Sequence, residues 1–164
     1  MTAEVLQFRS IDLFRDWATI VAFHRDVFEI SFGSDEEFSE SNYRTILQDR
    51  LQRFPEGQRI VLAGGAVAGQ VEIWTREYEG RNVGYASLFY LVPRWRGQGL
   101  GRELLQYAER YFCNEGLGEY HLRVSERNEH ALRFYLKQGF VRLEAEERDD
   151  LVTWRMMKSV TPPC

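Results

Sequence analysis

The sequence has few cysteines and no long apolar run, and both shortages limit what the protein can be. Cys113 and Cys164 are the only cysteines among 164 residues, so their number and spacing favour neither a disulfide framework nor a metal site. This usage predicts a reducing, cytoplasmic setting. The longest uncharged apolar stretch, residues 60–71, is interrupted by glycines and is shorter than the ~20 residues of a transmembrane helix. The first ten residues lack the apolar segment of a signal peptide, so no membrane partner is expected.

Positive charge is also in short supply. The chain has 21 Lys and Arg against 25 Asp and Glu, a net charge of −4, and the basic residues are scattered along it. A nucleic-acid partner is therefore not expected. A hydrophobic fraction of 44% is typical of a folded protein, and no linker or repeat divides the chain. We predict one domain over residues 1–164.

Apolar periodicity predicts an α+β fold. A short strand around Val5 to Phe8 precedes a helix that Ser10 caps, and a second helix covers about Ser39 to Phe54. An antiparallel meander of three strands follows, and then a helix, a strand, a helix and a closing hairpin. These elements cover residues 59–63, 66–75, 83–92, 99–113, 119–124, 128–138 and 140–157.

The string "RWRGQGLGRELL" places three glycines, at positions 97, 99 and 101, against the start of a helix. Glycine lets backbone N–H groups approach a ligand closely, and a helix N-terminus offers unpaired donors, so the string is typical of a phosphate-binding loop. The alternative is a tight turn that binds nothing. The spacing matches neither a Walker A loop nor a dinucleotide-binding fingerprint.

The segments "LFYLVPRWRGQGLGRELLQYA" and "SERNEHALRFYLKQGF" closely resemble the GNAT family of N-acetyltransferases. The resemblance implies a three-layer α/β arrangement, with a mixed, mostly antiparallel sheet of about six or seven strands flanked by about four helices. It places Arg96, Gly99 and Gly101 at the positions of the family loop. It also implies that backbone N–H groups from Gly97 to Arg102, with Gln98 and Leu100 between them, hold the pyrophosphate of coenzyme A.

The same resemblance implies that acetyl-CoA is the co-substrate and that no metal is needed. Its pantetheine arm is expected in a gap between the strand that ends near Leu91 and the strand around Leu122, paired with the backbone of Tyr90, Leu91 and Val92. Asn128 is a further candidate for cofactor contact. An Asn before a helix is also a common N-cap, and the two uses are compatible.

Acetyl transfer to an amine needs an N–H donor for the oxyanion, a proton acceptor for the amine and a proton donor for the thiolate. The resemblance assigns the backbone N–H near Leu91 to the oxyanion and Tyr135, in "NEHALRFY", to the thiolate. A phenol with a pKa of about 10 is protonated at neutral pH and can donate. The alternative is that Tyr135 is a core side chain on a buried helix face.

The proton acceptor is less well indicated. Glu72 lies among apolar residues on the strand next to Leu91, which predicts a buried carboxylate near the cleft. A register slip of one residue would turn it away. The alternatives are an exposed Glu72, or a water chain ordered by Tyr85, Ser87 and Tyr90. The histidines form no metal spacing and are interpreted as surface or helix-cap residues: His24, His121 and His130.

The acceptor is expected to be a primary amine of a small molecule or peptide. Residues 29–40 carry five acids and no base, and Glu36 and Glu37 would favour a cationic acceptor if this segment lines the site. A solvated acidic loop is the alternative. The prediction is an acetyl-CoA-dependent N-acetyltransferase that acts by direct attack in a ternary complex, as a monomer or homodimer. A non-catalytic acyl-CoA-binding module of the same fold is the alternative.

Overall fold

The computed structural model describes residues 5–162 and Cys164. Seven strands form one sheet in the order β1-β2-β3-β4-β5-β7-β6, in which only β4 and β5 pair in parallel. The strands are β1 (Gln7–Ser10), β2 (Gln58–Ala63), β3 (Ala66–Tyr78), β4 (Arg81–Leu91), β5 (Glu119–Ser125), β6 (Val141–Arg148) and β7 (Leu151–Ser159). The helices are α1 (Trp17–Phe32), α2 (Glu40–Arg53), α3 (Leu100–Asn114) and α4 (Glu129–Lys137). The predicted mixed sheet with four helices is confirmed.

The first helix begins later than the sequence predicts. Ser10 is the last residue of β1, where it pairs with Arg59, so it does not cap α1. Asp16 stands at the N-cap, but its carboxylate binds Arg9 at 2.8 Å and makes no capping bond. At α2 the prediction is confirmed, because the Ser39 side chain accepts a hydrogen bond from the Asn42 N–H.

The central hairpin is longer than predicted. Residues 76–78 and 81–82, which the sequence indicated as loop, belong to β3 and β4. The chain reverses at Glu79 and Gly80 alone, with φ angles of 49° and 78°. Such a two-residue turn with positive φ angles matches the twist of the flanking strands, so the ladder continues to the tip.

Each face of the sheet packs against a different pair of helices. One face forms the main core with α3 and α4, and it includes Val71, Leu104 and Leu122. The opposite face packs Tyr43 and Leu47 of α2 and part of α1 in two smaller clusters. The main core fills the face that packs against α3 and α4. A functional site on this sheet is therefore open to approach only on the opposite face, where α1 and α2 do not cover it.

The C-terminal part has two features that the sequence analysis did not indicate. In the closing hairpin, β7 lies between β5 and β6, which leaves β6 exposed at the edge. Cys113, at the end of α3, forms a disulfide with Cys164, with a Cα–Cα distance of 5.5 Å. The prediction that the two cysteines form no disulfide was wrong, because spacing along a chain does not reveal that the tail returns to α3. The prediction of a reducing, cytoplasmic setting relied on unpaired cysteines, so the disulfide removes the support for it. None of the described helices is long and apolar enough to cross a membrane.

Candidate active site

The central strands β4 and β5 separate after a short paired segment. They pair only where Gly84–Ala86 meets Tyr120–Leu122. The register of β4 against β3 shifts at this point, because Ile73 faces Ala86 whereas Glu72 faces Leu88. Ser87 is therefore the extra residue of a β-bulge, which bends the strand. Beyond it β4 stays with β3 and leaves β5, so the predicted gap between β4 and β5 is present.

Backbone direction decides which N–H groups face this gap. The Val92 N–H donates to the Ala68 carbonyl at 2.8 Å, across the β3–β4 ladder. Because successive peptide groups of a strand point to opposite edges, Tyr90 also bonds toward β3, whereas Leu91 and Phe89 point into the gap. The N–H groups of Tyr90 and Val92 therefore face β3 and not the gap, which argues against the predicted pantetheine contacts there. The Leu91 N–H points into the gap, as its predicted role requires. The Phe89 N–H is a second donor in the gap, and it could be identified only from the strand register.

The glycine loop leads from β4 into α3. Gly97 and Gly99 have φ angles of 71° and 80°, and no heavy atom lies within 4 Å of a Cβ built on either. Gly99 is the N-cap of α3, Leu100 is anchored in the core and Arg102 is exposed. The first N–H groups of the helix have no partner within it, and the open glycines let a phosphate group approach them. These residues fit the pyrophosphate of coenzyme A.

The longer side chains of the loop fix its shape. Arg96 donates from Nε to the Leu91 carbonyl at 2.7 Å and from Nη2 to Asp26 at 3.0 Å. Gln98 donates to the Arg94 carbonyl at 2.7 Å. Both side chains are therefore used within the protein. The prediction that backbone N–H groups of residues 97–102 bind the cofactor does not need these two side chains.

The second motif begins α4. The Asn128 side chain accepts from the Ala131 N–H at 3.2 Å, so it is an N-cap, as one interpretation held. Tyr135 is half-buried beside Phe134 and Phe140, with ring centres 5.4 and 5.3 Å away. Its hydroxyl has no hydrogen-bond partner among residues 5–162. Burial raises the pKa of Tyr135, so the phenol is protonated at neutral pH.

Glu72 lies under α1 and α2 with 1% of its surface exposed. Its Oε2 atom is 2.8 Å from the Tyr43 hydroxyl, 3.1 Å from Gln70 Nε2 and 2.8 Å from His24 Nε2. Its Oε1 atom is 3.3 Å from Arg50 Nη1. The predicted burial is confirmed, and the carboxylate is surrounded by four donors.

These donors decide what Glu72 can do. Burial alone would raise the pKa of Glu72, but His24, Arg50 and Tyr43 together hold it below its ordinary value. The other ring nitrogen of His24 is 2.8 Å from the Ile20 carbonyl, so the imidazole is held between this carbonyl and Glu72. A low-pKa carboxylate with no open approach is unsuited to take a proton from an amine directly. It is well suited to position its partners.

The alternative water-chain residues lie on the same face as Glu72. Ser87 is exposed, and its hydroxyl accepts from Arg50 Nη1 at 3.0 Å. Tyr85 is buried two residues earlier on β4. Tyr90 is not available, because its hydroxyl donates to Asp26 at 2.5 Å.

The interpretation of the histidines was wrong for two of the three. His24 is partly buried against Glu72, and His121 is fully buried, whereas His130 is exposed. Each misread histidine has one partner close in sequence and one distant partner, Glu72 for His24 and Arg155 for His121, and the distant contacts could not be read from the local pattern.

The acidic segment lies where α1 turns into α2. Asp35 and Glu40 are paired with Arg25 at 3.2 and 2.9 Å. Glu36 and Glu37 are exposed in the turn and form no salt bridge with any described residue. Of the acids in residues 29–40, Glu36 and Glu37 are therefore the ones that face solvent at the turn without a salt-bridge partner among the described residues.

Comparison with known proteins agrees with this geometry. Residues 17–140 match the model of the acetyltransferase (GNAT) family. A mycothiol acetyltransferase of Nocardiopsis dassonvillei is 33% identical over 136 residues, which are 73% of this chain and 40% of that protein, so the chain spans about two fifths of this relative. N-alpha-acetyltransferase 30 of Schizosaccharomyces pombe is 27% identical over 76% of this chain and 84% of its own length. The structure of yncA from Salmonella typhimurium with acetyl-CoA superposes with a TM-score of 0.71 and 18% identity, over 96% of this chain and 95% of that one. The chain belongs to the acetyltransferase (GNAT) family.

Proposed function

We propose that this protein transfers an acetyl group from acetyl-CoA to a primary amine of a small molecule or peptide, by direct attack in a ternary complex. The observation that carries the proposal is the gap between β4 and β5, which opens beside the glycine loop and receives the N–H groups of Phe89 and Leu91. Relatives named as a mycothiol acetyltransferase and an N-alpha-acetyltransferase support both acceptor classes. Bound acetyl-CoA supplies the activated acyl thioester.

The cofactor is held at two places. Backbone N–H groups of residues 97–102 and the N-terminus of α3 bind the pyrophosphate, since aligned donors and the helix dipole favour negative charge there. The edge of β4 that faces the gap pairs with the amides of the pantetheine arm, as an added strand would. The Leu91 N–H, on the same edge, stabilises the negative charge that develops on the carbonyl oxygen.

Proton transfers complete the assignment. Tyr135 donates to the departing thiolate, and its raised pKa keeps the proton on the phenol until the thiolate forms. The acceptor amine loses its proton to bulk solvent through water molecules that the Ser87 and Tyr85 hydroxyls order, since Ser87 is exposed. Glu72 does not take the proton itself. It is a positioning residue, because it holds Arg50 beside the Ser87 hydroxyl.

The exposed pair Glu36 and Glu37 attracts the ammonium form of the acceptor to the turn between α1 and α2. Acceptor amines with a pKa of about 10.4 are mostly cationic at neutral pH, so two uncompensated carboxylates raise their local concentration.

An assay of thiol release from acetyl-CoA, run with a panel of primary amines and peptides, tests the function. Amine-dependent release with formation of the N-acetyl product is expected. Tight acetyl-CoA binding without release for any amine would favour the non-catalytic acyl-CoA-binding module instead.

A further inference from the structure

The face of the sheet opposite α3 and α4 carries cationic side chains stacked on aromatic rings. We name this the arginine–aromatic cluster, which consists of Arg50, Arg76, Arg155, Trp74, Tyr78 and Tyr85. The Arg50 guanidinium lies 4.5 Å from the Trp74 ring centre, that of Arg76 lies 5.4 Å from Trp74 and 5.0 Å from Tyr85, and that of Arg155 lies 4.0 Å from Tyr78 and 5.8 Å from Tyr85. Three guanidinium groups thus stack on three neighbouring rings, and one of them, Arg50, also pairs with Glu72 at 3.3 Å.

Arg155 is the unusual member of the cluster. It is only 3% exposed, and no carboxylate of the described chain lies within 4 Å of its guanidinium. Its Nε donates to His121 Nδ1 at 2.9 Å, while its Nη2 is buried with no hydrogen-bond partner. A buried arginine is almost always paired with an anion, because an uncompensated charge inside a protein is costly.

The nearest acids are occupied elsewhere. Glu119 reaches Arg155 only through His121, at 2.9 Å from that ring, and it also pairs with Arg81 at 2.6 Å. Glu144 reaches it only through the Tyr78 hydroxyl, at 3.4 Å. The cluster therefore keeps a surplus of positive charge, although the whole chain carries a net charge of −4.

The hydrogen-bonding character of the cluster points the same way. The indole Nε1 of Trp74 is a second buried donor without a partner among the described residues. Guanidinium and indole groups donate and do not accept. Apart from the two tyrosine hydroxyls, the cluster offers donors and positive charge, which are complementary to a group that only accepts, such as a carboxylate or a phosphate.

The position of the cluster links it to the reaction. Tyr85 pairs with His121 in the last joined segment of β4 and β5, where the gap begins. Ser87 is exposed two residues further along, in contact with Arg50. The other face of the sheet is filled by the main core, so an acceptor reaches the gap from the face that carries the cluster.

We infer that the acceptor amine carries an anionic oxyacid group, a carboxylate or a phosphate, and that the arginine–aromatic cluster binds it. This inference rests on the proposed acetyltransferase function and specifies its substrate class. Ser87 and Tyr85 are about 7 Å apart along the strand, so the anion and the amine are separated by several bonds. The same guanidinium groups disfavour the ammonium form and so lower the pKa of the bound amine, which eases its deprotonation beside Ser87.

The test measures acetyl transfer to linear ω-amino carboxylates of increasing chain length, each beside its matched ω-amino amide. A parallel series of ω-aminoalkyl phosphates distinguishes the two oxyacids. We expect kcat/KM to be at least tenfold higher for the carboxylate or the phosphate than for the amide at one chain length or more. Arg76→Gln should abolish this ratio mainly through KM, and Arg76→Lys should retain part of it. Arg110→Gln removes the same charge from an exposed position on α3 and should leave the ratio unchanged.

Turnover of the amides and the anionic amines at equal kcat/KM at every chain length would overturn the inference while the proposed function stands. A preference that persists undiminished in Arg76→Gln, and also in Arg155→Gln where that variant melts as the wild type does, would overturn it as well. A second readout is the side-chain Nε–H resonance of Arg155 in a titration with glutarate or inorganic phosphate. Saturable shifts that Arg76→Gln weakens, without acetyl transfer to any amine, would contradict the proposed function and leave the anion site in place.

Discussion

At the scale of single residues, Glu72 connects both N-terminal helices to the centre of the sheet. It meets His24 of α1, and Tyr43 and Arg50 of α2, from its place on β3. The Arg50 side chain continues to Ser87 at the bulge. One buried carboxylate therefore sets the position of the groups that border the gap.

Replacing this carboxylate should cost stability in a pH-dependent way. Glu72→Gln leaves His24 and Arg50 without their anion, so we expect a loss of about 3 kcal/mol in the free energy of unfolding at pH 7. Because the folded pKa of Glu72 is lowered, its contribution is present above the unfolded value of about 4.3 and is lost as the pH falls through the folded value. Urea unfolding of both proteins from pH 7 to pH 3 measures the difference.

The matched control is Glu77→Gln, an exposed glutamate on the same strand, which should change stability by less than about 0.5 kcal/mol. A difference between wild type and Glu72→Gln that grew on acidification would contradict the assigned ionisation of Glu72.

At the scale of elements, the loop before α3 depends on two open glycines. Gly99→Glu places a carboxylate at a φ angle of 80° in the proposed pyrophosphate site. Acetyl-CoA at 100 times its Kd should stabilise the wild type by about 2.7 kcal/mol, and this gain should disappear in the variant. A thermal-shift titration measures it. Gly65→Glu has the same strain, at a φ angle of 83° in the β2–β3 turn, and should keep the gain. An undiminished shift in Gly99→Glu would remove the loop from the binding site.

The turn between α1 and α2 carries the second prediction at this scale. Reversing Glu36 and Glu37 to Lys should raise KM for a cationic amine severalfold at low salt and leave kcat unchanged, because the effect is electrostatic attraction. The rise should shrink as salt screens the charges. Reversing Glu126, which is exposed between β5 and α4, and Glu129, the first residue of α4, gives a variant of equal charge for comparison. A KM that stays constant across the salt range would show that the turn has no role in acceptor binding.

Elements with strong local signals could be predicted from the sequence. The glycine string predicted the start of α3, Ser39 predicted the start of α2, and Asn128 predicted the start of α4. These predictions were possible because each signal depends only on neighbouring residues. The start of α1, by contrast, depended on Asp16 being taken by Arg9. The place of β7 between β5 and β6 depended on long-range pairing.

The site residues also divide into those that local motifs predicted and those that depend on long-range contacts. The family motifs located Tyr135 and the loop, but the direction of the Leu91 and Val92 N–H groups required the register, including the bulge at Ser87. Three of the four donors around Glu72 come from α1 and α2 and lie 22 to 48 residues earlier in the chain. No spacing rule applies over such distances.

At the scale of the whole molecule, the disulfide ties the C-terminal tail to α3 across 51 residues of sequence. Closing a loop of this length stabilises a protein by up to about 4 kcal/mol in the chain-entropy account. Cys164→Ser should therefore lower the free energy of unfolding by about 2 to 4 kcal/mol under oxidising conditions. Added reductant should bring the wild type to the level of the variant. Equal unfolding curves for both oxidised proteins would contradict a stabilising disulfide.

The proposed function requires that the gap, the loop and Tyr135 act together on one thioester. The most direct test is kcat for acetylation of one amine by Tyr135→Phe, with chemistry shown to limit the rate. Phe keeps the ring and removes the proton, so kcat should fall by about 10² to 10⁴-fold, while the Kd of acetyl-CoA and the Tm stay unchanged. Tyr111→Phe, a partly buried tyrosine of α3, should keep the wild-type kcat. Equal kcat values for Tyr135→Phe and the wild type would contradict the account.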